Sequence, residues 1–140
     1  MCGLTGIFDR RGRREVPPQV LDAMTDALAH RGPDGRGTMN EPGIALGHRR
    51  LSIIDVTRAG QPMASACGRF EIVFNGEIYN FREVRAELEA AGHSFRLDSD
   101  TEVLIEGYRA WGPAMLARMT GMFAVAIWDR EERSLFLARD

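Results

Sequence analysis

The sequence predicts an α+β fold built in layers, rather than a doubly wound parallel sheet. Three observations lead there. Strand-like and helix-like segments are intermixed along the chain. Apolar strands recur as antiparallel neighbours, most clearly on either side of Glu131-Glu132. The chain has 140 residues, 44% of them hydrophobic, which suits one domain with its own core, spanning 1–140.

The first strand candidate is Gly3 to Asp9 (GLTGIFD), short, apolar and glycine-rich, whose Gly3 and Gly6 admit a close neighbour. Pro17-Pro18 open a helix, with Val20, Leu21, Met24, Ala27 and Leu28 on one face. His30 to Gly37 (HRGPDGRG) is dense in glycine, proline and charge and reads as a loop. Ile44 to Ile54 is two strands or one bent strand, with Arg49-Arg50 near the bend, and Asp55 to Gly68 is loop-like. Arg69 to Asn75 alternates as a strand with Phe70, Ile72 and Phe74 on one face, ended by the turn-prone Asn75-Gly76.

Asn80 with Glu83 has the form of a capping box, followed by Val84, Leu88 and Ala91 and a stop at Gly92. His93 to Leu97 reads as a short strand. Ser99 with Glu102 is a second capping box, opening a helix with Val103, Leu104 and Tyr108 inward and an end at Gly112-Pro113. A short helix from Ala114 to Met119 comes next. Gly121 to Asp129 is almost unbroken in its apolarity and predicts a strand buried on both faces, paired with Ser134 to Ala138. The sequence stops directly after that strand, which reads as a domain incomplete on its C-terminal side.

Composition narrows the function classes. A net charge of -2 gives no general electrostatic reason to bind nucleic acid or an anionic membrane. No apolar run is long enough to span a bilayer, and no signal-peptide pattern opens the chain. Cys2 and Cys67 could pair, but without a secretory signal free thiols in a cytoplasm are the expectation. The histidines and cysteines form no metal-spacing motif, so no metal is expected in this chain.

The chemistry begins at Met1-Cys2-Gly3. Methionine removal, allowed by a small second residue, would leave Cys2 carrying a thiol and a free α-amine. An α-amine titrates near pKa ~7.7–8.0 and a thiol near ~8.5, so nucleophile and base would share one residue near neutral pH. Other polar segments interrupt the apolar elements where packing does not ask for them. Arg50 precedes the strand Leu51-Ser52-Ile53-Ile54, Asn75-Gly76-Glu77 caps a core strand, and Ser99-Asp100 starts a helix. Each has a structural explanation alone: a surface charge, an ordinary turn, an anion at a helix N-terminus.

Taken together, MCGLTGIFD, HRGPDG, LGHRRLSIID, GQPM, FNGEIYNF, SDTEV, GMFAVAIWD and LFLARD run in one order over essentially the whole chain. The chain resembles the N-terminal class II glutamine amidotransferase domain of glutamine-hydrolysing asparagine synthetases. The resemblance implies a four-layer αββα sandwich of the N-terminal-nucleophile hydrolases, and hydrolysis of L-glutamine to glutamate and ammonia. It implies Cys2 as nucleophile, with Asn75 and Gly76 as oxyanion hole. It implies Arg50 on the substrate carboxylate, Glu77 and Asp100 on its ammonium, and backbone contacts from Leu51, Ser52, Ile53 and Ile54. It further implies a C-terminal synthetase domain that uses ATP and Mg²⁺ to convert aspartate to asparagine, and it allows a homodimer. Paralogues linked to exopolysaccharide or exosortase systems amidate other acids with the same domain. An inactive fragment keeping only the fold is the remaining reading.

Overall fold

The computed structural model describes residues 2–12, 14–51 and 60–140. Two antiparallel sheets lie face to face. The first holds β1 (Gly3–Phe8), β2 (Gly35–Glu41) and β3 (Ile44–Arg50) in the order β1-β3-β2. The second holds β4 (Met63–Ala64), β5 (Phe70–Ile78), β6 (Gly121–Asp129) and β7 (Ser134–Arg139) in the order β4-β5-β6-β7. Helix α1 (Pro18–Asp26) covers the outside of the first sheet, and α2 (Phe81–Ala90) with α3 (Asp100–Trp111) covers the outside of the second. This is the expected αββα order of layers.

Alternation along the strands builds those layers. On β3, Ile44 and Leu46 turn inward to meet Val73, Ala126 and Trp128 of the second sheet. Ala45 turns outward to Leu21 of α1 and to Val16. On β5, Phe70, Ile72 and Phe74 pack with Val84, Leu88, Val103 and Leu104 of the helices. The central strands therefore bury both faces, and β6 does so from Val125 to Asp129. Its first half does not: Met122 is 47% exposed. Helix α1 comes unusually close to β3, since a Cβ on Gly47 would lie 2.2 Å from Thr25 Oγ1.

Several expectations need correction. The buried face of α1 is Leu21 and Thr25, while Val20 and Ala27 are exposed. The segment from Gly35 is strand β2, not loop; it is an edge strand of alternating exposure, so its glycines and charges are tolerated. The strand at Ile44 ends at Arg50, and positions 52–59 lie outside the described residues. Within the loop-like 55–68, Met63–Ala64 pairs with β5.

Strand β5 does not turn at Asn75-Gly76 but continues to Ile78, because β6 pairs with it throughout. Asn80 sits at the helix start without a side-chain cap bond. Its amide instead donates to Arg118 O at 2.8 Å and accepts from Thr120 N at 2.8 Å. On α2 the buried residues are Phe81, Val84 and Leu88, with Ala91 exposed. His93 to Leu97 is not a strand, since the Arg96 and Leu97 N–H groups are taken by the Glu102 carboxylate. The short helix after Trp111 is 3₁₀, Gly112–Arg118. The capping bond at α3 is present: Ser99 Oγ accepts from Glu102 N at 3.3 Å.

Candidate active site

The leading residues are held by the end of the first sheet. The β1–β3 register pairs Gly3 with Arg49, which sets Cys2 beside Arg50. The Cys2 Sγ accepts from Leu51 N at 3.4 Å and lies 3.6 Å from Leu51 O, and Arg31 Nε donates to Cys2 O at 3.2 Å. The glycine-rich turn before β2 presses on the same strand end. A Cβ on Gly32 would sit 2.4 Å from Arg49 O, and Asp34 N donates to Arg50 O at 2.9 Å. A cysteine at a chain start is ordinarily frayed; here backbone bonds and a guanidinium fix it.

Opposite lies the open edge of β5. In an antiparallel pair, alternate residues turn their N–H and C=O to opposite sides of the strand. Phe70 is bonded to Ser65, and Ile72 lies opposite Met63 of the short β4. Past the end of β4, side chains take over. Phe74 N donates to Gln61 Oε1 at 2.6 Å, Phe74 O accepts from His48 Nε2 at 3.2 Å, and Ile78 N donates to Asp100 Oδ2 at 3.2 Å. Gly76 lies between these two points, exposed, with its backbone turned to the same edge. Only glycine fits there, because a Cβ would lie 2.2 Å from Met122 O.

A cavity of about 530 Å³ opens between these parts. Cys2, Arg50, Leu51, Asn75, Gly76, Glu77 and Asp100 all line it. Ser52, Ile53 and Ile54 lie outside the described residues. The cavity thus joins a thiol, an edge amide, a side-chain amide, a guanidinium and two carboxylates.

The profile of the family described as "glutamine amidotransferase domain" matches residues 1–140. The chain belongs to this family. It is 42% identical to asparagine synthetase [glutamine-hydrolyzing] 1 of Bacillus subtilis, over the whole of this chain and 22% of that protein. It is 45% identical to a putative asparagine synthetase [glutamine-hydrolyzing] of Mycobacterium tuberculosis, over 24% of the latter. Asparagine synthetase B [glutamine-hydrolyzing] of Escherichia coli is 36% identical, with 25% of its length covered. The chain therefore spans about a quarter or less of these relatives. Among solved structures, the glutamine phosphoribosylpyrophosphate amidotransferase of B. subtilis, complexed with ADP and GMP, superposes with a TM-score of 0.77 at 21% identity. That match covers 98% of this chain and 37% of the other. The αββα sandwich is thus a fold that this chain shares with that amidotransferase.

The electrostatics of the amidotransferase domain are uneven. Asp100 is 7% exposed, and burial raises its pKa. The N–H groups of Ile78 and Thr101 oppose that rise, while the charge of Glu77 adds to it. A buried anion of this kind gains from a cation placed in the cavity. His48 is fully buried, and burial lowers its pKa to about 4. The Phe74 carbonyl resists that shift and Arg50 reinforces it. The ring is neutral at pH 7, with the proton on the Nε2 that faces the carbonyl; Nδ1 has no partner among the described residues.

Sequence reasoning missed Gln61, His48 and Arg31. Gln61 lay in a recognised segment, GQPM, without any signal of its own. His48 carried a weak one: it continues the inward alternation of Ile44 and Leu46, where a polar side chain needs a partner. Among the described residues no group of three or more His, Cys, Asp or Glu side chains could hold a metal ion, and no helix is long and apolar enough to cross a membrane. Both cysteines are free. Cys67 is exposed and stands outside the cavity.

Proposed function

We propose that this domain hydrolyses L-glutamine to glutamate and ammonia, with Cys2 as nucleophile once Met1 has been removed. The observation that carries the reading is the convergence of the Cys2 thiol, the Asn75-Gly76 amides and charges of both signs on one cavity. The thiol gives its proton to its own α-amine, directly or through a water, and Sγ attacks the side-chain amide carbon. The oxyanion so formed is met by the Asn75 side-chain NH₂ and the Gly76 N–H, and losing one such donor typically costs ~10²–10³ in rate. The protonated amine returns its proton to the leaving nitrogen, and ammonia departs from a γ-glutamyl thioester. Water then attacks the thioester, the amine takes its proton, and glutamate leaves as the thiol is restored.

Arg50 forks onto the substrate α-carboxylate, which suits guanidinium better than ammonium. Asp100 and Glu77 hold the α-ammonium. Leu51 supplies backbone contact, continued by Ser52, Ile53 and Ile54. The amide NH₂ of glutamine finds acceptors that would repel the carboxylate of glutamate.

In the full-length protein the ammonia passes to a C-terminal synthetase domain that converts aspartate to asparagine, as the names of the relatives suggest. ATP and Mg²⁺ belong to that domain. This chain has no P-loop, and its described residues offer no metal cluster. No step above runs through them. Free thiols suit a reducing compartment, and we assign the reaction to the cytoplasm.

Cys2→Ala should abolish both ammonia release from glutamine and covalent labelling by an electrophilic glutamine analogue. Cys67 is the necessary control. Burial tends to raise its thiol pKa, but Ser65 at 3.3 Å, the Arg69 backbone and the charge of Arg109 bring it below the ordinary value. Label retained at Cys67 after Cys2→Ala, with ammonia still released, would remove Cys2 from its role. So would an N-terminus found by mass spectrometry to keep Met1 in active protein.

A further inference from the structure

We propose that Gln61 is a positioning residue for the oxyanion site. It sets the backbone of β5 so that the Gly76 N–H stays aimed into the cavity. The proposal rests on the glutaminase reading and adds a residue to it.

Among the described residues, the β4-side edge of β5 has no strand partner beyond Ile72. Its N–H groups are instead taken by side chains: Gln61 Oε1 at Phe74 and Asp100 Oδ2 at Ile78. These stand two residues before and two residues after Gly76, so they anchor the strand edge on both sides of its amide while β6 holds the other edge. The Phe74 carbonyl is held as well, by His48. Gln61 has a second reach. Its Nε2 donates to Thr101 Oγ1 at 3.4 Å, and Thr101 is the neighbour of Asp100 at the start of α3. One side chain thus ties the strand bearing Asn75-Gly76 to the helix bearing the buried carboxylate.

The side chain must both accept and donate, which a glutamine amide does without charge at any working pH. Its own place is fixed across the sheets, since a Cβ on Gly37 would lie 2.0 Å from Gln61 O. Gln61 also lines the cavity. A negative charge at its position would face the developing oxyanion, so its neutrality matters too.

The test uses the full-length protein with Gln61→Met, which keeps length and loses the acceptor, and Gln61→Glu, which keeps an acceptor and adds charge. Ammonia release gives kcat and KM. Binding of the aldehyde analogue of glutamine, which forms a tetrahedral adduct on the Cys2 thiol, reads the oxyanion site directly. Gln61→Met should lower kcat about 10- to 100-fold with KM within about 3-fold, and weaken aldehyde binding by a similar factor to kcat. For Gln61→Glu, the ratio of variant to parent kcat should climb as pH falls, because a neutral carboxyl restores the donor and removes the charge. A merely structural role moves thermal stability but not that ratio. Parental kcat and aldehyde affinity in both variants, or a change confined to KM, overturns the assignment of Gln61. A parent protein that releases no ammonia from glutamine overturns the glutaminase reading itself.

Discussion

His48 makes the pH dependence of stability calculable. Its pKa is about 4 in the folded protein, lowered by burial from 6.5, the value expected of the unfolded chain. Between those values the unfolded chain carries a proton that the folded protein lacks. Stability therefore rises with pH across this window, and is lost as pH falls from 6.5 toward 4. Integrating the linkage gives a loss of about 2 kcal/mol between pH 7 and pH 5, and roughly 3 kcal/mol once both states are protonated.

Carboxylates also contribute to the acid side of the stability profile. Asp129 and Glu106 have lowered pKa values and act in the same direction, whereas Asp100 and Glu71 are raised and oppose it. The comparison that isolates the imidazole is therefore between parent and His48→Gln, which can still donate to Phe74 O but does not titrate. Urea unfolding of both at several pH values should show the parent's advantage shrinking by about 2 kcal/mol from pH 7 to pH 5. Imidazole ¹H–¹⁵N shifts give the folded midpoint independently. A constant difference between the two proteins, or a folded midpoint near 6.5, refutes the account of His48 as a buried neutral donor to β5.

Arg50→Lys should raise KM for glutamine about 10-fold and slow acylation little, since one point charge would replace the proposed two-pronged contact; an unaltered KM in steady-state assays takes Arg50 out of the proposed carboxylate clamp. Gly76→Ala should act twice. Its Cβ would lie 2.2 Å from Met122 O and 2.6 Å from Phe123 Cα, so β5 and β6 must part, at about 1–3 kcal/mol of stability. The amide moves with them, and kcat should fall by about 10² or more; thermal unfolding and ammonia release like the parent's would contradict both halves.

Local pattern carried much of the architecture into view. β5, β6 and β7 show as alternating or continuous apolar runs, and Ser99 with Glu102 marks the start of α3 by chemistry confined to a few residues. β2 stayed hidden, because an edge strand of GRGTMNE has few apolar residues to betray it. The stop read at Asn75-Gly76 was a turn signal overridden from outside. Phe123 and Met122 pair across from Gly76 and Glu77, and the ladder carries the strand through. The Asn80 cap failed similarly, its amide being drawn to Arg118 and Thr120 far along the chain.

By itself the sequence determined which chemical groups are present and that they sit on an alternating α+β scaffold. A cysteine after the initiator, an arginine before an apolar run, an asparagine–glycine pair and an acid at a helix start are all local facts. Tertiary structure alone decided which backbone amides remain open among the described residues. β4 ends beside Ile72, Gln61 and His48 reach Phe74, and Asp100 reaches Ile78, which leaves Gly76 facing the cavity. Hydrogen-bond satisfaction is settled between segments distant in sequence, and no local pattern records which donor is left over.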